Sequence, residues 1–148
     1  MRVYLVHHGN AVSADVDSQR PLSALGLRQA EWIATQAKAA GFTPAVIWHS
    51  GKRRARETAE AFLRICSPFA EFRMVRGLRP DDPPEWMRDE LAGESRDLVV
   101  AGHMPHLSGL ATLLSHDARD FPLNGAMVFE RKDDRTWSFS SAVVPPAP

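Results

Sequence analysis

Three short apolar runs in this 148-residue chain each end on a cluster of chemistry-bearing polar residues, with helix-periodic sequence between them. Val3–Val6 runs into His7-His8-Gly9-Asn10, Ala45–Trp48 into His49-Ser50-Gly51-Lys52-Arg53-Arg54, and Leu98–Ala101 into Gly102-His103-Met104-Pro105-His106. Strands that alternate with helices form parallel sheets covered on both faces, because each parallel crossover needs a helix. Ligands of such sheets lie beyond the carboxyl ends of the strands. The expected fold is a three-layer α/β/α sandwich with a mainly parallel central sheet, which would bring the three clusters to one pocket.

The periodicity predicts a strand over Arg2–His7, then a helix with Ser23 as N-cap that reaches Ala40 and stops at Gly41. In it Ala30, Ile33, Ala34 and Ala37 share one face. A strand over Ala45–His49 precedes a helix from about Arg53 to Cys66, with Ala55, Ala59, Phe62, Leu63 and Cys66 on one side. Phe72–Val75 reads as strand three, and the proline-rich segment Gly77–Gly93 as a loop with a short helix near Glu85–Leu91. Leu98–Ala101 is a central strand, and Pro105 suits the first turn of a helix carrying Leu107, Leu110, Ala111 and Leu114. Met127–Arg131 and Trp137–Val143 alternate as a closing hairpin.

With 44% hydrophobic and 24% charged residues the chain has material for one core, so a single domain is expected over residues 1–144, followed by a disordered Pro145–Pro148 tail. Eighteen basic residues balance eighteen acidic ones, so no whole-surface field favours nucleic acid or membrane. Attraction for anions must be local. The single cysteine, Cys66, excludes an internal disulfide and reads as a buried, inert thiol in a reducing cytoplasm. The apolar start at Val3–Val6 is too short for a signal-peptide core or a membrane span.

An imidazole that is unprotonated at one nitrogen and oriented through the other can attack a phosphoryl group and carry it as phosphohistidine. Phosphoryl transfer otherwise needs positioning and positive charge around three oxygens. Arg54 offers a planar fork for that task, His103 a second imidazole, and the amides near Pro105 an anion site. No P-loop or metal-ligand spacing occurs, and neither cofactor nor metal is expected.

These residues resemble the histidine phosphatase superfamily, and within it the small SixA-type phosphohistidine phosphatases. The marks are Leu5 through Gly9, Arg20-Pro21-Leu22-Ser23 with Gly26 and Gln29-Ala30, Ser50 through Ala59, and Gly102-His103 with Pro105. The resemblance implies a phosphoglycerate-mutase-like sandwich, a nucleophile at His8 and catalytic His103. It also implies phosphate ligands at Arg54, Gly9 and Met104, and hydrolysis of a phosphoenzyme by water without metal. Arg20 and Asn10 are candidates for the substrate's border.

Two departures from the family pattern stand out. His7 occupies the place of an arginine before the nucleophile, which would replace a permanent charge by a group titrating near neutrality and weaken transition-state stabilisation by about 1–3 kcal/mol. If His7 must be protonated while His8 is not, the pair titrates together and an acid-side pH optimum is expected. The general acid of mutase-like relatives is also missing, since the matching stretch reads Leu78-Arg79-Pro80, and Asp81 and Asp82 are the nearest candidates. A phosphohistidine substrate relaxes that need, because imidazole leaves more easily than an alkoxide.

Lys52, Arg53 and Arg56 read as surface charges able to guide a phosphoprotein partner. His49 and His116 read as structural, His106 as a rim residue, and Trp32, Trp48, Trp86 and Trp137 as packing. Two functions fit. One is a phosphatase of a phosphorylated protein or a small phosphorylated substrate. The other is a phosphate-binding interaction module of the same fold that has lost turnover.

Overall fold

The computed structural model describes all 148 residues. Ten elements follow in chain order: β1 (Arg2–His7), α1 (Ala24–Ala39), β2 (Val46–His49), α2 (Arg53–Ile65), β3 (Glu71–Met74), α3 (Pro84–Ala92), β4 (Leu98–Gly102), α4 (His106–Ser115), β5 (Ala126–Arg131) and β6 (Trp137–Val143). The six strands form one sheet in the order β3-β2-β4-β1-β5-β6. β3, β2, β4 and β1 run parallel, whereas β5 and β6 add an antiparallel edge.

Alternation along β1 assigns the two faces. Val3 and Leu5 join Leu98, Val100 and Trp48 in a core against Met87 and Leu91 of α3 and Leu107, Leu110 and Leu114 of α4. Tyr4 and Val6 face the other way, with Ile47, Val99 and Ala101, onto Ile33, Ala34 and Ala37 of α1 and Ala59 and Phe62 of α2. β4 is buried at every position, as a strand with a helix layer on each face must be.

The helix ends follow local chemistry. Ser23 caps α1 by accepting from the Gly26 amide at 3.1 Å, and Gly41 ends it at φ +77. Pro105 stands one residue outside α4 as its N-cap; the sequence reading placed it in the first turn. The tail residues Pro145–Pro148 line a cleft with Leu25 and Trp32 beside α1. No helix is long and apolar enough to cross a membrane.

The strand order positions the chemistry. His7 of β1 pairs in register with Gly102 of β4, and His49 of β2 with Ala101, so the residues just beyond these ends emerge side by side. The His8 amide donates to the Gly102 carbonyl at 3.2 Å.

Candidate active site

His8, His7 and His103 form a cluster of mutually tilted imidazoles at the carboxyl ends of β1 and β4. The His7 and His8 ring centroids lie 4.5 Å apart and those of His8 and His103 5.1 Å apart. His8 Nδ1 lies 2.7 Å from the Gly9 carbonyl oxygen. A carbonyl only accepts, so Nδ1 carries the proton and Nε2 keeps a free lone pair. Burial pushes His8 down to about 4 against the opposing pull of that carbonyl, with Arg54 and Arg20 adding repulsion. The ring is therefore neutral at pH 7.

His103 is buried, and its Nε2 sits 2.6 Å from Ser50 Oγ. Burial, followed by His8 and nearby cations, pushes it down to about 2. Its Nδ1 is buried without a partner in the protein. In the tautomer with Ser50 donating to Nε2, the ring proton sits on Nδ1 and makes it a donor free for a ligand.

His7 differs from expectation. Its Nδ1 accepts the Asn124 backbone amide at 2.8 Å. Protonating that nitrogen would set two N–H groups against each other, and burial with His8 and Arg54 pushes the ring down to about 4. His7 is thus a neutral ring with its proton on Nε2, and the acid-side optimum inferred from a charged His7 has no basis in the free protein. Asn124 is a candidate site residue with no motif of its own in the sequence. It adopts φ +55, and its side chain donates to the His8 carbonyl at 2.8 Å, so it ties both histidines to the start of β5. Only the Asn124-Gly125 pair before a strand hinted at a special turn there.

Arg54 is the second residue of α2 and makes no ion pair; its Nε is buried and unpartnered, and burial with neighbouring Arg20 lowers its pKa. A buried guanidinium nitrogen without a protein acceptor is suited to bond an anion. Arg20 takes a left-handed backbone, φ +46, with Nε donating to the Val12 carbonyl at 3.1 Å.

Gly9 and Asn10 are engaged within the protein, whereas Met104 keeps a free amide. The Gly9 amide donates to Thr58 Oγ1 at 3.1 Å, and a Cβ on Gly9 would lie 2.3 Å from the Gly26 carbonyl oxygen. Gly9 thus serves a close approach to α1, and its amide is already committed rather than free for phosphate. Asn10 is likewise engaged: its amide donates to Gln29 and its Oδ1 accepts from Ser23, which seats the start of α1. The Met104 side chain packs on the core, while its amide makes no hydrogen bond within the protein.

Asp81 and Asp82 separate. Asp82 lines a cleft of about 410 Å³ with Ser50, Arg76, Arg79 and Trp86, and accepts the Arg79 amide at 2.9 Å. Asp81 is exposed outside this lining, so only Asp82 shares a cleft with Ser50, the partner of His103. Trp86 is 57% exposed in that cleft instead of packed, and His106 is buried under the start of α4 instead of at the rim. Cys66 is half-buried, with Sγ donating to the Ala34 carbonyl and burial pushing the thiol up to about 11, which keeps it protonated.

The model of the histidine phosphatase superfamily, branch 1, matches residues 3–100. The chain belongs to the histidine phosphatase superfamily. The matched segment holds His7, His8 and Arg54 and ends before His103. No curated protein matches this histidine phosphatase in sequence. In three dimensions it is similar to the protein histidine phosphatase SixA complexed with tungstate, with a TM-score of 0.87, 20% identity, and 98% of this chain and 97% of that one covered. It is also similar to a protein assigned as the phosphohistidine phosphatase SixA of Agrobacterium tumefaciens, at 0.83, 22% identity and 97% of each chain. A mycobacterial glucosyl-3-phosphoglycerate phosphatase complexed with VO3 superposes at 0.74, with 15% identity over 97% of this chain and 99% of that one. At such identities the likeness is one of fold, shared by phosphatases of different substrates.

Proposed function

We propose that this histidine phosphatase hydrolyses phosphohistidine in a protein through a phosphohistidine intermediate on His8, without a metal ion. The observation that carries the reading is the Nδ1 contact of His8 with the Gly9 carbonyl, which leaves Nε2 unprotonated beside Arg54 and His103. In the first step His8 Nε2 bonds to phosphorus as the substrate's P–N bond breaks. The electron pair returns to the substrate imidazole, which takes a proton from solvent or from Asp82. Arg54, His103 Nδ1–H and His7 Nε2–H neutralise or bond the phosphoryl oxygens. Water then attacks phosphorus, releases orthophosphate and returns the lone pair to Nε2. The SixA-like fold supports a protein substrate. The lone, protonated Cys66 suits a reducing cytoplasm.

A second reading, a phosphatase of small phosphorylated metabolites, rests on the 410 Å³ cleft with Arg76 and Arg79 beside Ser50. Rapid quench with a ³²P-labelled phosphohistidine peptide separates the readings. Wild-type protein should carry acid-labile label, and His8→Ala should carry none while remaining folded. Arg54→Ala should turn over about 10²–10³-fold more slowly, as expected on losing an oxyanion donor. Undiminished turnover by His8→Ala would overturn the mechanism. Higher kcat/KM on alkyl phosphomonoesters than on the peptide would favour the metabolite reading, and tight phosphate binding without label would mark a binding module.

A further inference from the structure

A further cleft, of about 370 Å³, is bordered by the β2–α2 turn, and no apolar residue lines it. Its walls are Lys52, Arg53, Arg54 and Arg56 with Gly51 from the β2–α2 turn and α2, and Ser18 and Gln19 from the β1–α1 loop. The whole chain has eighteen charges of each sign, so four cations in one cleft are a local excess. No carboxylate lines the cleft. Two lie at its edge: Glu57 contacts Arg53 at 3.5 Å and accepts the Leu22 amide, and Glu60 stands 4.0 Å from Arg56. Gln19 accepts from Arg53 at 3.1 Å and orients it. Lys52 and Arg54 have no ion-pair partner, so the cleft keeps a net positive charge. Arg54 lines this cleft and also lies near enough to His8 to repel its charged form, so the cleft borders the histidine cluster.

We infer that this cleft is a docking site for an acidic segment flanking the phosphohistidine of the substrate protein. The inference rests on the phosphohistidine reading above. Carboxylates of the segment pair with Lys52, Arg53 and Arg56 while Arg54 takes the phosphoryl group. Charges of this kind act on encounter and orientation more than on the chemical step, and salt screens them. A small phosphomonoester reaches Arg54 and His8 without occupying the cleft.

The test uses two phosphohistidine peptides of equal length, one with glutamates flanking the phosphohistidine and one with glutamines, and p-nitrophenyl phosphate as a small substrate. Wild-type kcat/KM should favour the glutamate peptide by about tenfold at low salt, and the preference should shrink as salt rises. In Lys52→Gln/Arg56→Gln the preference should fall to about twofold or less through KM, with p-nitrophenyl phosphate turnover unchanged. Equal use of the two peptides by wild type, or a preference that survives in the double variant, overturns the docking site while leaving the phosphohistidine activity standing. Hydrolysis of p-nitrophenyl phosphate but of neither peptide overturns the phosphohistidine reading itself.

Discussion

At His7 a side chain that sequence logic treats as a weak arginine behaves as a different device. An arginine would bring permanent charge and a fork of donors, whereas His7 brings one Nε2–H whose position is set by the Asn124 amide on Nδ1. Asn124→Gly keeps that amide and the φ +55 backbone and loses only the bond to the His8 carbonyl, so it should cost about 1 kcal/mol. Asn124→Val adds β-branched strain in the left-handed region and should cost about 2–3 kcal/mol in urea denaturation. Nitrogen NMR of the imidazoles at pH 7 should report His7 Nδ1 as unprotonated in wild type and in the glycine variant. A proton found on Nδ1 would sink the neutral-donor account. At this scale His8, Arg54 and His103 were legible because their neighbours form sequence motifs. Asn124 was not, because its importance comes from contacts across 116 and 117 residues of chain.

Among the elements, α1 approaches the loop after β1 so closely that backbone meets backbone. A Cβ on Gly26 would lie 1.9 Å from the Asn10 carbonyl oxygen, and one on Gly9 would lie 2.3 Å from that of Gly26. Neither backbone can yield without shifting α1 or the turn that carries His8. Gly26→Ala should therefore cost more than about 3 kcal/mol, beyond the usual range of single substitutions, and reduce phosphoenzyme formation in whatever fraction folds. Gly93→Ala is its control. Gly93 ends α3 at φ −88, a Cβ there would meet nothing closer than 3.7 Å, and the change should be neutral or stabilise by up to about 1 kcal/mol. Thermal melts of both variants check the contrast. Element type was readable from periodicity, and every expected helix and strand is present. The start of α4 was misread by one residue because proline suits both the cap and the first turn.

The molecule as a whole buries its site histidines neutral, which ties stability to pH. His7 and His8 are held at about 4 and His103 at about 2, all below the ordinary 6.5 that applies once the chain unfolds. Between those values the unfolded state binds more protons, so stability is full above about pH 6.5 and falls as the pH drops. Each ring contributes a slope of about 1.4 kcal/mol per pH unit. Urea midpoints measured from pH 7 to pH 5 should fall steeply, with about two to three protons taken up near pH 5.5 by these three rings and more by His49 and His106, which burial also holds below their ordinary value. Uptake of less than one proton would show that these rings are charged in the folded protein.

The sequence by itself determined the layered α/β class, the ten elements and the placement of His8, His103 and Arg54 just beyond strand ends, since each is written in local periodicity or in a contiguous motif. Tertiary structure alone decided what those groups can do. The order β2-β4-β1 makes Ser50 the partner of His103, the antiparallel return of β5 brings Asn124 onto His7, and the approach of Gly26 consumes the freedom of Gly9. A tautomer, a burial-driven pKa and a cleft shared by two loops are properties of atoms brought together through space. No local pattern encodes them.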